Sequence, residues 1–373
     1  MSIISQLNRY IYRQLIILFL FAVCLLSAVG VAIGTLSELA YQIDNYDLPL
    51  KVAVKIFIYK IPEYVAYGLP IATLLTTLIV YGRLSRESEI IAFKSVGISL
   101  YKVILPAIYL SVMIALVTFM SNQIIVPQAN FRVNNLRSLY LPETELSLHK
   151  KDIFYPEYEF EADSKKIKRL YYAKRFNGKK FINLVILSWD KDSLQQIITA
   201  QNASWKPQPK LWMMEQVTID NLSNDILTTA RKSFNNYQIA LPATLFLVAK
   251  QYRDPSAMSL FEAKNYLQLI KNSGDAKKIR LFKVRIQQKL AFPFICLIFA
   301  LIGATVGTTF NNLNRGKSFG FCVGISFGYY LLGFMIGSLG IAGLINPIIA
   351  AWLPNVIGLI YGFWLLKLAN CSV

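Results

Sequence analysis

Six apolar runs, each long enough to cross a lipid bilayer, constrain the fold of this chain more than any other feature. The first, residues 14–36, has 23 residues without a charge. As a helix it would be about 34 Å long, which exceeds the roughly 30 Å hydrocarbon core of a bilayer. It is too long for the core of a signal peptide, so we expect it to remain as an uncleaved span. The other five runs are residues 64–81, 103–126, 290–310, 319–341 and 345–366. The sequence therefore predicts an α-helical membrane protein with six transmembrane helices in two groups of three.

The residues between the two groups follow a β-strand pattern instead. Three segments there are rich in aromatic and β-branched residues, namely 171–173, 181–189 and 212–219. Turn signals separate them, and Asn177-Gly178 is the strongest, because a type I′ hairpin turn requires positive φ at both central residues. Strands at this spacing predict an inserted β-sandwich, jellyroll or related curved sheet.

The domain boundaries follow from these patterns. We expect an N-terminal membrane half at residues 1–126, a β-jellyroll-like domain at 127–255, a helical linker at 256–289 and a C-terminal membrane half at 290–373. Ser259 and Glu262 have the spacing of a capping box, which would begin the first helix of the linker. The mean hydropathy of +0.43 is too high for an ordinary soluble protein and too low for an all-membrane one, so the insert must be exposed to water.

A charged stretch from Tyr81 to Leu100 lies between the second and third apolar runs. Its arginines, glutamates and lysine make it too polar to enter hydrocarbon, while its leucine and isoleucines provide a partial apolar face. We therefore predict that residues 82–100 form a short helix at the membrane surface, available to a soluble partner. Gly82 and Gly97 stand at its ends, and a helix joined directly to two spans can pass rigid-body motion into the bundle.

The lysines and arginines of the short loops predict the orientation of the chain. With a cytoplasmic N-terminus, the inner segments hold nine such residues and the outer short loops hold three. This bias favours cytoplasmic termini and a β domain on the outer side of the membrane. Four cations oppose the rule because they crowd the outer ends of the third and fourth spans: Arg132, Arg137, Arg285 and Lys289. We expect a functional reason for these exceptions.

The net charge of +18 could indicate a nucleic-acid partner. Most of the lysines and arginines, however, lie between Arg132 and Lys289, interleaved with acidic residues and not clustered in a basic stripe. We therefore expect no nucleic acid, and instead an anionic lipid or a phosphorylated amphiphile.

The chemistry of an enzyme is missing from the sequence. The one histidine, His149, excludes a multi-histidine metal site. Gly316-Lys317-Ser318 resembles the end of a phosphate-binding loop, but that motif needs a glycine where the chain has Asn311. The four cysteines lie in apolar runs or at the tail and indicate no disulfide framework. We expect no catalytic residues, cofactor or metal, and an energy source outside this chain.

Several segments resemble the LptF/LptG (YjgP/YjgQ) permease family. They are Asn8-Arg9-Tyr10-Ile11, Ser88-Glu89 with Gly97 eight residues on, Pro127-Gln128, and the C-terminal runs QQKLAFPFICLIFALIGATVG, RGKSFGFCVGISFGYYL and AAWLPN. The match covers nearly the whole chain and is most specific in its last third. The N-terminal segment and the segment around Pro127 are closer to LptG.

This resemblance implies the permease subunit of an ABC-type exporter in the bacterial inner membrane. The cargo would be lipopolysaccharide or a related anionic glycolipid, and the external β-jellyroll would pass it to a bridge of similar LptC/LptA-like jellyrolls. ATP hydrolysis would belong to a separate, cytoplasmic LptB-like ATPase dimer, which agrees with the absence of a phosphate loop here. A second permease subunit, either a paralogue or a second copy, would complete the transporter.

The resemblance also assigns a coupling role to the charged stretch. In the family, the helix between the second and third spans docks in a groove of the ATPase, and the glutamate of its Ser-Glu pair is needed for coupling. That glutamate falls on Glu89, and Ser88, Gly97 and Arg86 are the other candidate coupling residues. The alternative is that Glu89 is an ordinary solvated carboxylate.

The candidate lipid-binding residues are the four outer cations. Arg137, ten residues after Pro127, matches a family arginine assigned to the lipid phosphates. Arg132, Arg285 and Lys289 are candidates from their position alone, and all four have an alternative as cations that snorkel to ordinary headgroups. Family members often have a lysine at the outer end of the first span, where this chain has Gly34. The lipid headgroup met at that point can therefore differ from the usual one.

Two other functions share part of this pattern. A mechanical or scaffolding membrane protein, moved by an ATPase but carrying no lipid, would need the same coupling helix. A membrane enzyme acting on lipid-linked sugars would need a carboxylate pair or a nucleophile at the membrane surface. The candidates for that role are Glu38, Asp44 and Asp47, all in one connection.

Overall fold

The computed structural model describes residues 3–140, 151–161, 164–176, 180–190, 193–206, 211–222, 229–240, 258–270, 276–310 and 314–371. The chain divides into two compact units, one made of residues 1–136 with 283–373 and the other of residues 137–282. The first unit is helical and the second contains an antiparallel β-sheet.

The helices of the N-terminal half are longer than their apolar runs. They are α1 (Ile3–Val31), a π-helical turn (Ala32–Leu36), α2 (Ser37–Tyr46), α3 (Leu50–Arg86), α4 (Glu89–Ser95), α5 (Leu100–Met120), a second π-helical turn (Ser121–Ile125) and α6 (Val126–Tyr140). The later helices are α7 (Leu260–Ile270), α8 (Ala276–Ala291), a 3-10 turn (Phe292–Phe294), α9 (Ile295–Thr309), α10 (Arg315–Ala342) and α11 (Pro347–Cys371).

Six helical segments among the described residues are long and apolar enough to cross a membrane: Gln6–Tyr46, Leu50–Arg86, Leu100–Arg137, Ala276–Thr309, Arg315–Ala342 and Pro347–Asn370. Each overlaps one of the six apolar runs, so the predicted fold class is confirmed. The first segment has 41 residues and is therefore about 61 Å long. Because the hydrocarbon core is roughly 30 Å thick, such helices project well beyond it.

Helices α3 and α9 form the centre of the membrane unit, since both are largely buried while α1 and α10 are mostly exposed. Two glycines of α9 allow the close approach. A Cβ at Gly303 would collide with Thr77, and a Cβ at Gly307 would lie 2.8 Å from the Cβ of Tyr81 and 2.9 Å from the backbone nitrogen of Gly82. Small residues at helix contacts are the usual device for close packing in a membrane.

Two apolar clusters connect further helices to the membrane unit. One contains Ile11, Leu84, Ile90 and Leu100 with residues of α9 and α11, and therefore ties α4 to the bundle. The other contains residues of α2, α3, α6 and the connection between α2 and α3, namely Leu39, Leu48, Val52, Ala53, Ile56 and Val133. The projecting parts of the long helices therefore have an apolar core of their own.

The second unit contains one six-stranded antiparallel sheet, whose strands pair in chain order. The strands are β1 (Lys151–Glu161), β2 (Ser164–Phe176), β3 (Lys180–Asp190), β4 (Ser193–Lys206), β5 (Leu211–Leu222) and β6 (Thr229–Ile239). Phe176, Phe181 and Trp212 are buried and pack ring against ring. The β-sheet insert is thus confirmed, and the three predicted segments lie in β2, β3 and β5.

The capping box that begins α7 is also confirmed. The backbone N–H of Ser259 donates to Oε2 of Glu262 at 2.9 Å, and the N–H of Glu262 donates to Oγ of Ser259 at 3.2 Å. These reciprocal bonds satisfy two of the backbone donors that the first turn of a helix leaves without helical partners.

Candidate functional site

The charged stretch between the second and third spans is not one continuous helix. Helix α3 continues five residues past the predicted end of its span, to Arg86, and the surface helix α4 is limited to Glu89–Ser95. Gly82, which was predicted to stand at the end of the surface helix, is buried inside α3. The reason is tertiary packing, because Leu84 and Ser85 also face the bundle and hold this turn of α3 in place.

Two turns with positive φ set the position of α4. Ser88 has φ +59° and Gly97 has φ +80°. The turn at Ser88 redirects the chain after α3, and the turn at Gly97 redirects it before α5. For a residue with a Cβ, this left-handed conformation is unfavourable, which explains why a glycine at position 97 suits the turn.

Helix α4 is anchored firmly to its neighbours. Ile90 is buried against α3 and α5. The Tyr81 hydroxyl donates to the carbonyl oxygen of Val103 at 2.9 Å, which ties α3 to α5. The Ser85 hydroxyl donates to the carbonyl oxygen of Thr308 at 3.2 Å, which ties α3 to the end of α9. Helix α3, which leads into α4, is therefore bonded both to α5 and to α9.

Glu89 is held by a residue from the N-terminal helix. The hydroxyl of Tyr10 donates to Oε1 of Glu89 at 3.0 Å and accepts from Nη2 of Arg83 at 3.4 Å. Arg83 also pairs with Glu87, with 3.7 Å between Nε and Oε2. This network joins α1 to α4 at the point predicted for coupling. Sequence reasoning missed the role of Tyr10, since 79 positions separate it from Glu89.

The opposite side of α4 offers an exposed surface. Ile91 is 54% exposed and Val96 is 71% exposed, and the side chains of Arg86 and Ser88 are exposed beside them. An apolar patch with a polar rim on a short helix is suited to docking against another protein. The four predicted coupling residues thus lie on one segment, with Glu89 turned toward Tyr10 and Arg86 toward solvent.

Replacing Gly97 by alanine should destabilise the turn by about 1–2 kcal/mol, the usual cost of a left-handed conformation for a residue with a Cβ. Apart from Gly97 and its chain neighbours, no atom in the described part of the chain lies within 4 Å of the position that the new Cβ would take, so backbone conformation alone causes the loss. Thermal unfolding of the purified protein in detergent would measure it. Gly97→Asn is the matched control, because asparagine tolerates this conformation better. Equal stability of Gly97→Ala and the native protein would contradict the expectation.

The four outer cations occupy two helices. Arg132, on α6, lies over the ring of Tyr59 at 5.5 Å, a cation–π contact with α3. Arg285 and Lys289 are four residues apart on α8 and therefore share one face. Arg285 donates to Oε1 of Gln288 at 3.0 Å and is exposed. Arg137 is half-buried near the end of α6.

The glycine at the outer end of the first span has a structural cause. A Cβ at Gly34 would collide with the phenol group of Tyr64, and the ring also lies against Gly30. The Thr35 hydroxyl donates to the Tyr64 hydroxyl at 3.3 Å, within the first π-helical turn. Tyr64 therefore occupies the space that a longer side chain at position 34 would need, and a lysine there is incompatible with this packing.

Gly316-Lys317-Ser318 is part of a helix start. Oδ1 of Asn314 accepts from the backbone N–H of Lys317 at 2.8 Å and caps α10. Among the described residues, no group of three or more His, Cys, Asp or Glu side chains is arranged to hold a metal ion. His149 and Asn311 lie outside the described residues.

Comparisons with known proteins agree on one family. The family model described as "Lipopolysaccharide export system permease LptF/LptG" matches residues 9–368. A curated relative named "Lipopolysaccharide export system permease protein LptG", from Escherichia coli strain K12, is 26% identical over 321 residues, which cover 82% of this chain and 83% of the relative. The protein of the same name from Haemophilus influenzae is 21% identical over 313 residues, with the same coverage of each chain.

Proposed function

The chain belongs to the LptF/LptG family of lipopolysaccharide export system permeases, and on that premise we propose that it couples ATP hydrolysis in a separate subunit to extraction of the lipid from the inner membrane. It is a multi-pass membrane protein and a transport component, not an enzyme. The observation that carries the proposal is the anchored helix α4, with Glu89 bonded to Tyr10 on one side and an exposed apolar patch on the other.

The ATPase is proposed to dock on α4 from the cytoplasm. Ile91 and Val96 would enter a groove of the ATPase. Glu89 would transmit the movement of the ATPase to α1 through Tyr10, and the turns at either end of α4 would transmit it to α3 and α5. Ser88, Gly97 and Arg86 would shape and rim the docking surface. Nine lysines and arginines in the inner segments, against three in the outer short loops, support cytoplasmic termini and a periplasmic sheet.

A second permease subunit is proposed to cover the exposed apolar faces of the membrane unit. Phe21 on α1, Ile33 in the first π-helical turn, and Phe327 and Phe334 on α10 are largely exposed. Two subunits that face one another across such surfaces would enclose a broad apolar cavity, which suits a lipid with several acyl chains. A paralogue and a second copy would both provide such a surface.

The lipid phosphates are proposed to meet the outer cations. Arg137 and Arg132 on α6, and Arg285 and Lys289 on α8, supply positive charge beyond the third and fourth spans. Guanidinium groups bind phosphate oxygens by charge-assisted hydrogen bonds. The β-sheet unit would then pass the lipid to a jellyroll bridge of LptC/LptA-like proteins.

Purification of the tagged protein in mild detergent tests the proposal. We expect a small ATPase to copurify and be identified by mass spectrometry, and we expect the reconstituted complex to release lipopolysaccharide when ATP is added. If the ATPase copurified but no lipid were bound or specifically released when ATP was added, a mechanical or scaffolding role would be favoured. Failure of any ATPase to copurify under several mild conditions would remove the coupling proposal.

Tyr10→Phe should lower ATP-driven lipopolysaccharide release about three- to tenfold, the range expected for the loss of one hydrogen bond. The phenylalanine keeps the ring but removes the hydroxyl that joins Glu89 to Arg83. Copurification of the ATPase should be unchanged, because Tyr10 does not lie on the exposed surface of α4. Tyr101→Phe, at an exposed tyrosine on α5, is the matched control and should release lipid normally. Equal activity of both variants would show that the Tyr10 hydroxyl has no positioning role.

A further inference from the structure

The buried face of the sheet ends in a row of neutral polar side chains. Ile186, Ile198 and Ile219 are cross-strand partners on β3, β4 and β5, and all three are buried. Two residues from each of these isoleucines, on the same three strands, Ser188, Gln196 and Asn221 are again cross-strand partners. Side chains two residues apart in a strand point to the same face, so the polar row continues the apolar face.

A cavity of about 280 Å³ lies at this row, lined by Ser188, Trp189, Gln195, Gln196, Asn221 and Leu222. The pairing of β3 with β4 shifts between Ser188 and Trp189. Such a bulge changes the direction of the side chain that follows it, and it brings Trp189 into the lining beside Ser188. An aromatic ring and several amides therefore face one cavity.

The amides of this cavity are already oriented. Nε2 of Gln196 donates to Oδ1 of Asn221 at 2.8 Å. An amide side chain has two donor hydrogens and an oxygen with two lone pairs, so this bond leaves capacity on the oxygen of Gln196 and on the nitrogen of Asn221. The pair presents an acceptor and a donor side by side, which matches the hydroxyl groups of a sugar ring. The ring of Trp189 provides a flat apolar surface for the C–H face of that ring.

The absence of charge from the residues that line the cavity favours a neutral sugar over a phosphate as its ligand. None of its six lining residues is charged, although the chain as a whole carries +18. The next members of the same row, Arg169 and Glu157, lie 3.9 Å apart and pair with each other. Glu157 also accepts from the hydroxyl of Tyr171 at 2.7 Å, and burial, with Glu157 nearby, raises the pKa of that hydroxyl. The cavity therefore offers hydrogen bonds without an uncompensated cation.

We propose that Ser188, Trp189, Gln196 and Asn221 form a subsite for neutral hexose units in the headgroup of the transported glycolipid. This inference rests on the proposed function and extends it to the sugar part of the cargo. The phosphates of the same lipid would be held elsewhere, since no lining residue of this cavity is cationic. The subsite would favour lipopolysaccharide that carries its outer hexoses over a truncated form without them.

Equilibrium binding of two lipopolysaccharides to the full-length protein in detergent tests the subsite. One lipid carries its outer-core hexoses and the other is truncated before them, with the same acyl chains and phosphates. We expect the native protein to bind the complete lipid about three- to tenfold more tightly, and we expect Gln196→Ala and Asn221→Ala to abolish that difference, as for loss of one hydrogen bond. Gln201→Ala, an exposed glutamine on the same strand, is the matched control and should retain it.

The outcomes distinguish this subsite from the proposed function. Equal affinity of the native protein for both lipids would overturn the subsite while leaving lipid export intact. Absence of binding to either lipid would instead overturn the proposed function. The free hexose oligosaccharide, without its lipid, should compete for the subsite. In its presence, the complete lipid should bind no more tightly than the truncated one. If Gln201→Ala removed the difference in affinity between the two lipids as strongly as Gln196→Ala, the cavity would not be its cause.

Discussion

Replacing Glu89 by alanine should reduce ATP-driven lipopolysaccharide release about 10- to 100-fold, the range for loss of a hydrogen bond to a charged group. Glu89 is the one carboxylate of α4, and it accepts the bond from Tyr10 that links this helix to α1. Without it, α4 would keep its apolar contacts with the bundle but would lose the hydrogen bond through which it pulls directly on α1. Lipid release from proteoliposomes, measured alongside ATP turnover, would report the loss.

Glu87→Ala is the matched control for this substitution. Glu87 lies two positions away and its pair with Arg83 is partly exposed, at 3.7 Å. Exposed ion pairs of this kind contribute at most about 1 kcal/mol, so we expect lipid release within about fivefold of the native value. Coupling through Glu89 would be contradicted if the two alanine variants lost activity to the same extent. Copurification of the ATPase with each variant separates failure to dock from failure to transmit movement.

Replacing Gly307 by alanine should destabilise the membrane unit by about 3 kcal/mol. The new Cβ would lie 2.8 Å from the Cβ of Tyr81 and 2.9 Å from the backbone nitrogen of Gly82, so helices α3 and α9 would have to move apart. Overpacking of this kind typically costs about 1–3 kcal/mol. The bond from Ser85 to the carbonyl of Thr308 lies next to this contact and would be weakened as well. A lower midpoint of thermal unfolding in detergent is the expected readout.

Gly320→Ala provides the opposite case with the same chemical change. Gly320 lies on α10, and no atom of the described residues outside its own stretch of helix lies within 4 Å of the position of its added Cβ. Alanine is the better helix former, by about 1 kcal/mol in the interior of a helix in water. We therefore expect the isolated subunit to be equally stable or slightly more stable. If Gly307→Ala and Gly320→Ala had the same effect, close packing of α3 on α9 would not be the cause.

Local patterns were sufficient for the elements with strong periodicity or length. The six spans are visible because 18 or more apolar residues have few alternatives to a membrane helix. The three predicted strands contain the aromatic and β-branched residues that favour a sheet. In contrast, β1 was not predicted, and neither were β4 and β6, whose sequences contain many polar residues, such as TARKSFNNYQI in β6. Hydrogen bonds to neighbouring strands, not their own composition, make them strands.

The charged stretch shows where local reasoning ended. Its polarity located a segment outside the membrane spans, but its helix was predicted to begin at residue 82 and instead begins at Glu89. Charges at Arg83 and Arg86 suggested a surface position, whereas Leu84 and Ser85 between them, and Tyr81 before them, are buried against the bundle. The end of α3 is thus decided by contacts with α5 and α9, which no window of sequence contains.

The sequence by itself determined the class of the protein: six membrane helices, a β insert, and a charged segment between the second and third spans. Hydropathy, length and residue type are properties of each segment alone, and a bilayer or a sheet responds to them directly. Only the tertiary structure decided that Tyr10 bonds to Glu89, that Gly307 lies against Tyr81, and that Ser188, Gln196 and Asn221 form one row. These contacts join residues far apart in the chain, because helix packing and strand register bring them together, and neither is encoded in any one segment.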